Sequence, residues 1–172
     1  YRDNAFTTRQ AMAAQHGPLV EAARASLATV SGRVLDLGCG NGVLLGKICQ
    51  GRRDLVPGGV DLNTVALAHA QQLFPEFAQN FERIDIFDPN VWSGDRHYTL
   101  AILMGGRLSE VAASTATGLL SLIARHCDRL LLYVYPSWRG EELEEIARRF
   151  DLFCEYCIPG VAGTVPIDTY PR

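Results

Sequence analysis

A chain of 172 residues, 48% of them apolar, is long enough to bury a core of its own, and nothing in it demands a second domain. Its formal charge of -3 and pI near 5.8 lack the basic excess of a nucleic-acid binder. No apolar run approaches the roughly 18 residues of a membrane span, and no signal peptide is recognisable.

The elements follow an alternating pattern in chain order. Thr7 to Gln15 is predicted as a helix that Gly17-Pro18 breaks, and Pro18 then opens a second helix to about Val30, because proline is tolerated at a first helical position. Arg33 to Leu37 reads as the first strand and Val43 to Gln50 as the helix after it. Gly59 to Leu62 is the second strand, and Asn63 to Phe74, with a capping Asn and apolar residues at helical spacing, is the crossover to a third strand, Phe81 to Ile86. Thr99 to Met104 is the fourth strand, Val111 to Cys127 a helix weakened at Gly118, and Leu130 to Tyr135 a fifth strand apolar enough for the middle of a sheet covered on both faces. Ser137 to Phe150 reads as a helix whose Glu141 and Glu142 precede Arg148 and Arg149, matching its dipole. Leu152 to Ile158 and Thr164 to Tyr170 are too close for a crossover helix, so they are expected to be antiparallel. The expected fold is α/β: a doubly wound, mostly parallel seven-stranded sheet with helices on both faces and a C-terminal antiparallel hairpin. Residues 1–30 would form an N-terminal helical cap on a domain of residues 31–172, compact as one unit.

Five cysteines, an odd number scattered through predicted strands and helices, speak against a disulfide framework and for a reducing, cytoplasmic compartment. Cys154 and Cys157 sit three apart in a predicted strand and so on opposite faces, which leaves no metal site expected. The pairs Arg52-Arg53 and Arg148-Arg149 read as solvated helix ends. The chain begins at Tyr1 rather than Met, as it would if an upstream segment had been removed.

Chemistry concentrates in Val34 to Gly42, where a buried strand meets glycines at 38, 40 and 42. Without a Cβ the turn lets backbone approach a ligand, and the following helix aims unpaired N–H groups at it. A dinucleotide fingerprint would need glycine at position 43, which is Val. The run Asp36-Leu37-Gly38-Cys39-Gly40-Asn41-Gly42 instead resembles the first motif of the class I S-adenosylmethionine-dependent methyltransferases, a seven-stranded Rossmann-like family. The resemblance continues through Gly59-Val60-Asp61-Leu62 and Asp85-Ile86, and spans about Ser31 to Tyr170. It implies S-adenosyl-L-methionine as cofactor, with Asp36 and the glycine loop at its methionine end, Asp61 accepting both ribose hydroxyls, Asp85 accepting the adenine amine and the Ile86 N–H reaching the ring. Leu62 and Met104 are implied as neighbouring cofactor contacts.

The implied reaction is direct in-line methyl transfer to an acceptor, yielding S-adenosyl-L-homocysteine. Positioning alone can supply ~7 to 11 kcal/mol in such chemistry, so the lack of a catalytic triad is no objection. His16 on the first helix, Arg107 and Glu110 after the fourth strand, and Tyr135 after the fifth are the candidates for acid, base or positioning roles. Tyr1, Phe6, Ser137 and Trp138 are further candidates for the site wall. His97 and His126 precede strands and belong to the opposite edge, and His69 lies in a crossover helix. Gly105-Gly106 could admit an acceptor; equally, they could make a turn before a helix capped by Ser109. Nucleic-acid amino-methyltransferases carry Asp or Asn, Pro-Pro and an aromatic here, whereas this chain has Leu103-Met104-Gly105-Gly106, which argues against base amines. The expected partner is a small-molecule acceptor. The alternatives are a protein or RNA acceptor, a noncatalytic methyltransferase-like subunit, and an aminopropyl transferase, for which Glu110 alone is thin support. The oligomeric state is not legible.

Overall fold

The computed structural model describes residues 7–92, 95–133, 152–154 and 164–169. Five parallel strands run in the spatial order β3-β2-β1-β4-β5, with β1 at Gly32–Leu37, β2 at Leu55–Val60, β3 at Phe81–Glu82, β4 at Leu100–Met104 and β5 at Leu130–Tyr133. Strand order reverses between β1 and β4, and the carboxyl ends beside such a switch point are where sheets of this kind bind ligands. Two short strands, β6 (Leu152–Cys154) and β7 (Thr164–Thr169), pair antiparallel, β7 with β5 and β6 with β7. The predicted helix Ser137 to Phe150 and the link between β6 and β7 lie outside the described residues.

Alternation along the strands divides the core in two. Val34, Leu100, Ile102 and Leu131 pack on one face with Leu19, Leu45, Ile48 and Leu67, which come from α1 (Arg9–Ser26), α2 (Val43–Cys49) and α3 (Thr64–Leu73). Leu35, Leu37, Leu103 and Leu132 pack on the other with Ala116, Leu119 and Ile123 of α5 (Ala113–His126) and with Trp92. A short α4 (Gly106–Ser109) follows β4.

Three sequence expectations are corrected. The first two helices are one: α1 runs through Pro18, and its buried face, Met12, His16, Leu19, Ala22 and Ala23, continues across the join. The residue before a proline avoids helix chiefly because its own Cβ meets the proline ring, and Gly17 has none. The cost falls to one missing hydrogen bond, which a continuous apolar face offsets. β2 starts at Leu55, not Gly59, and contains the buried Pro57. The Pro57 carbonyl takes a hydrogen bond from Asn80 Nδ2 at 3.1 Å on the β3 side, while β3 itself pairs only with Gly59 and Val60, so the missing proline N–H costs no ladder bond. β3 ends at Glu82 instead of Ile86, because Asp85 turns the chain: its Oδ1 accepts from Phe87 N at 3.0 Å and its carbonyl from Asp88 N at 2.9 Å.

Arginines finish the helices. Arg52, expected to be merely solvated, donates to the carbonyls of Leu27 at 2.9 Å and Val30 at 2.7 Å while pairing with Asp54 at 2.6 Å. Arg24 donates to Lys47 O at 2.7 Å and Arg129 to Ser26 O, supplying partners to carbonyls near the ends of α2 and α1. At the other end of a helix, Asn63 Oδ1 caps α3 by accepting from Val65 N and Ala66 N at 3.1 and 3.2 Å.

Candidate functional site

The glycine loop sits at the carboxyl end of β1 and is tied to β2. Gly38, Gly40 and Gly42 have φ of 88°, 51° and 72°, left-handed values that other residues adopt only with strain. Gly38 N and Cys39 N both donate to Val60 O, at 2.8 and 3.0 Å, so the loop folds back over the end of β2. Gly42 N donates to Cys39 O at 3.0 Å, and Asn41 Oδ1 accepts from Val43 N at 3.3 Å at the start of α2. A Cβ on Gly42 would lie 3.1 Å from that of Ala70, so α3 presses on the loop from below; one on Gly38 would meet nothing within 4 Å. The loop is thus packed on its inner side and open over Gly38.

Cys39 has only 3% of its surface exposed, and its side chain fills the space left by Gly59, where a Cβ would lie 2.7 Å from its Sγ. Burial, then the charges of Asp36 and Asp61, push its thiol well above the ordinary range. The role of Gly59 was not foreseen, although a Gly58-Gly59 pair within a strand is a signal of close approach.

Two carboxylates flank this loop. Asp36 is 2% exposed. Burial, then the neighbouring charge of Asp61, raise its pKa from 3.8 to about 7. Asp61, just past β2 and half-buried, holds the loop: its Oδ2 accepts from Gly40 N at 2.8 Å and its Oδ1 from Asn63 N at 2.8 Å. Each oxygen keeps a lone pair for a further donor. Leu62 beside it is 56% exposed, and Met104 at the end of β4 is half-buried. Asp85 is exposed in its turn three residues beyond β3, and the Ile86 side chain packs in the core. Thus the loop, Asp36, Asp61 and Leu62 are brought together by direct bonds and chain adjacency. The β3 end is joined to them by Asp61 N donating to Glu82 O at 3.3 Å.

The proposed reacting groups fare differently. His16 is 3% exposed on α1, and burial, then Lys47, lower its pKa to about 4, so it is neutral at pH 7. Arg107 and Glu110 form an exposed pair at 3.0 Å across α4. Gly105 makes its close approach to β5: its N–H donates to Tyr133 O at 2.7 Å, and a Cβ there would lie 2.6 Å from that oxygen. The N-cap residue of α5 is Ala112. His97 pairs with Asp128 at 2.9 Å and His126 Nδ1 lies 3.2 Å from Arg96 O, both at the amino edge of the sheet, and His69 is exposed. Tyr1, Phe6, Tyr135, Ser137, Trp138 and Cys157 lie outside the described residues. Among the described residues Cys39, Cys49 and Cys127 are free thiols, no cluster of His, Cys, Asp or Glu could hold a metal, and no helix is long and apolar enough to cross a membrane.

No protein-family model matches the chain, and no curated protein matches its sequence. Solved structures do match its fold. A TehB-like S-adenosylmethionine-dependent methyltransferase from Corynebacterium glutamicum is similar with a TM-score of 0.64 at 20% identity, over 92% of this chain and 96% of that one. Magnesium protoporphyrin IX methyltransferase from Synechocystis, crystallised with bound S-adenosylmethionine, gives 0.60 at 18% identity over 89% and 76%. An O-methyltransferase family protein from Burkholderia thailandensis gives 0.68 at 15% identity over 93% of this chain, which spans only 57% of that one. The protein has the class I S-adenosylmethionine-dependent methyltransferase fold.

Proposed function

We propose that this chain is a methyltransferase that carries the methyl group of S-adenosyl-L-methionine to a small-molecule acceptor by in-line displacement. The observation that carries the reading is the Asp36 carboxyl group, buried at the end of β1 beside Asp61, under a glycine loop that is open over Gly38. A buried carboxylate is costly unless a positive group answers it, and an ammonium group is a fitting answer. Fold alone would not choose a function; the arrangement of the site supports this one.

In this reading Asp36 faces the ammonium of the methionine end, and the open loop over Gly38 receives its chain. Asp61 is held by Gly40 and Asn63 with lone pairs left for two ribose hydroxyls. The exposed Leu62 offers an apolar surface to the adenine, and Asp85 and the Ile86 N–H stand for its polar edge. Met104 borders the methyl-transfer position. When bound, the cofactor supplies an activated methyl on a sulfonium, so the protein's part is to hold the acceptor in line and keep water out. Arg107 and Glu110 are the groups nearest the end of β4 that could orient a polar acceptor, each leaving the other to do so. Neutral His16 is buried in α1 and fits a supporting role better than direct contact.

The acceptor is read as small by analogy with a neighbour of the same fold. The Synechocystis neighbour's named acceptor class is a porphyrin, a small molecule. We read β6 and β7 as the closing hairpin of a seven-stranded sheet, residues 1–30 as a helical cap on it, and the free thiols as fitting a cytoplasmic setting. Isothermal titration with S-adenosylhomocysteine tests the reading, with Asp61→Ala alongside: saturable binding lost in the variant supports it, and no binding by the native chain refutes it.

A further inference from the structure

The amino edge of the sheet holds a polar cavity. It has a volume of about 140 Å³, and its lining includes Arg33, Leu35, Gly58, Asn80, Arg96 and Tyr98. Arg33 and Leu35 point to the opposite face of β1 from Asp36, and Arg33 lies five residues before Gly38, about 16 Å along an extended strand. The cavity is therefore separate from the glycine loop.

Its construction favours a small anion. Gly58 presents no side chain to this face, and Asn80 bounds the space it leaves, its backbone oxygen 3.1 Å from where a Cβ would be. Tyr98 is only 7% exposed and lines the space beside Arg96. Arg96 is held by Glu82 at 2.8 Å. A guanidinium has five N–H groups, so Arg96 keeps donors after serving Glu82. No carboxylate pairs with Arg33 among the described residues. Two arginines line the space, Arg33 exposed and Arg96 held by a carboxylate. The space takes several waters, room enough for one phosphate or a short-chain carboxylate.

We propose that this cavity binds a small oxyanion through Arg33 and Arg96, independently of the cofactor loop. Arginine forks suit phosphate and carboxylate equally, so the test carries both. Thermal unfolding and calorimetry of the purified chain are followed during titration with sodium phosphate or sodium acetate, against sodium chloride at matched ionic strength, for the native protein, Arg33→Gln and Arg96→Gln. The expected result is saturable stabilisation by phosphate, acetate or both, weakened roughly tenfold or more in each variant, as for loss of charged hydrogen bonds. Saturation by one salt alone identifies the oxyanion class. S-adenosylhomocysteine binding should be unchanged in both variants, which shows that they fold. The proposal is overturned if neither salt stabilises beyond chloride, or if Arg33→Gln responds like the native chain, since the anion would then sit elsewhere. Saturable anion binding without S-adenosylhomocysteine binding would sink the methyltransferase reading and leave this one standing.

Discussion

Asp36 makes the most exacting prediction. Replacing it by Asn keeps the shape of the neutral acid and removes the proton equilibrium. The pKa of Asp36 is raised from 3.8 to about 7 in the folded chain, by burial and then by Asp61. Between those values the folded protein holds a proton that the unfolded chain has released, so stability must fall as pH rises through this window and level off above it. At about 1.36 kcal/mol per tenfold change in proton affinity, the full descent is about 4 kcal/mol, as an order of magnitude. His16, lowered from 6.5 to about 4, has the opposite sign: the unfolded chain holds the extra proton there, and stability rises with pH across that range. The two nearly offset each other between about pH 4 and 6.5, so the native profile alone is uninformative. The difference between Asp36→Asn and native carries the test. Urea unfolding from pH 4.5 to 8 should show the variant gaining on the native protein as pH rises, reaching an advantage of several kcal/mol near pH 8. Parallel profiles would show that Asp36 ionises normally, and the account of a buried carboxyl group awaiting a cation would fail with it.

The same proton makes binding pH-dependent: affinity for S-adenosylhomocysteine should rise with pH, by at most about tenfold per pH unit, until Asp36 ionises freely near neutrality, and Asp36→Asn should bind weakly with this dependence gone, as calorimetry in several buffers would reveal. Asp61→Ala should weaken binding more than about tenfold and also loosen the loop, because it removes the acceptor of the Gly40 and Asn63 N–H groups; hydrogen exchange at those two amides should quicken. Gly42→Ala and Gly38→Ala should separate packing from binding. The first meets Ala70 and should cost about 1 to 3 kcal/mol in unfolding, whereas the second carries backbone strain without a clash and should lose cofactor affinity in titration out of proportion to its loss of stability. Pro18→Ala should stabilise the chain by about 1 kcal/mol or more, since the N–H it restores completes α1; unchanged urea unfolding would contradict the continuous-helix account.

What the sequence determined by itself was the order of the strands along the chain and the glycine loop, because both rest on local rules. Buried parallel strands are short apolar runs, and a left-handed turn needs glycine whatever surrounds it. Asp61 was legible for the same reason, being the first polar residue after a strand. Tertiary structure alone decided the rest. Proline punctuation at 18 predicted a break that a neighbouring glycine and a shared buried face removed. Asp85 was read as the end of a strand, but its side chain closes a turn once β2 offers only two residues to pair. Gly105, readable either as an opening for a ligand or as a turn, is closed against Tyr133. The charge state of Asp36 depends on Asp61, which lies 25 residues further along the chain and is brought near only by the pairing of β1 with β2. Burial and electrostatics are sums over such neighbours, and no local pattern contains them.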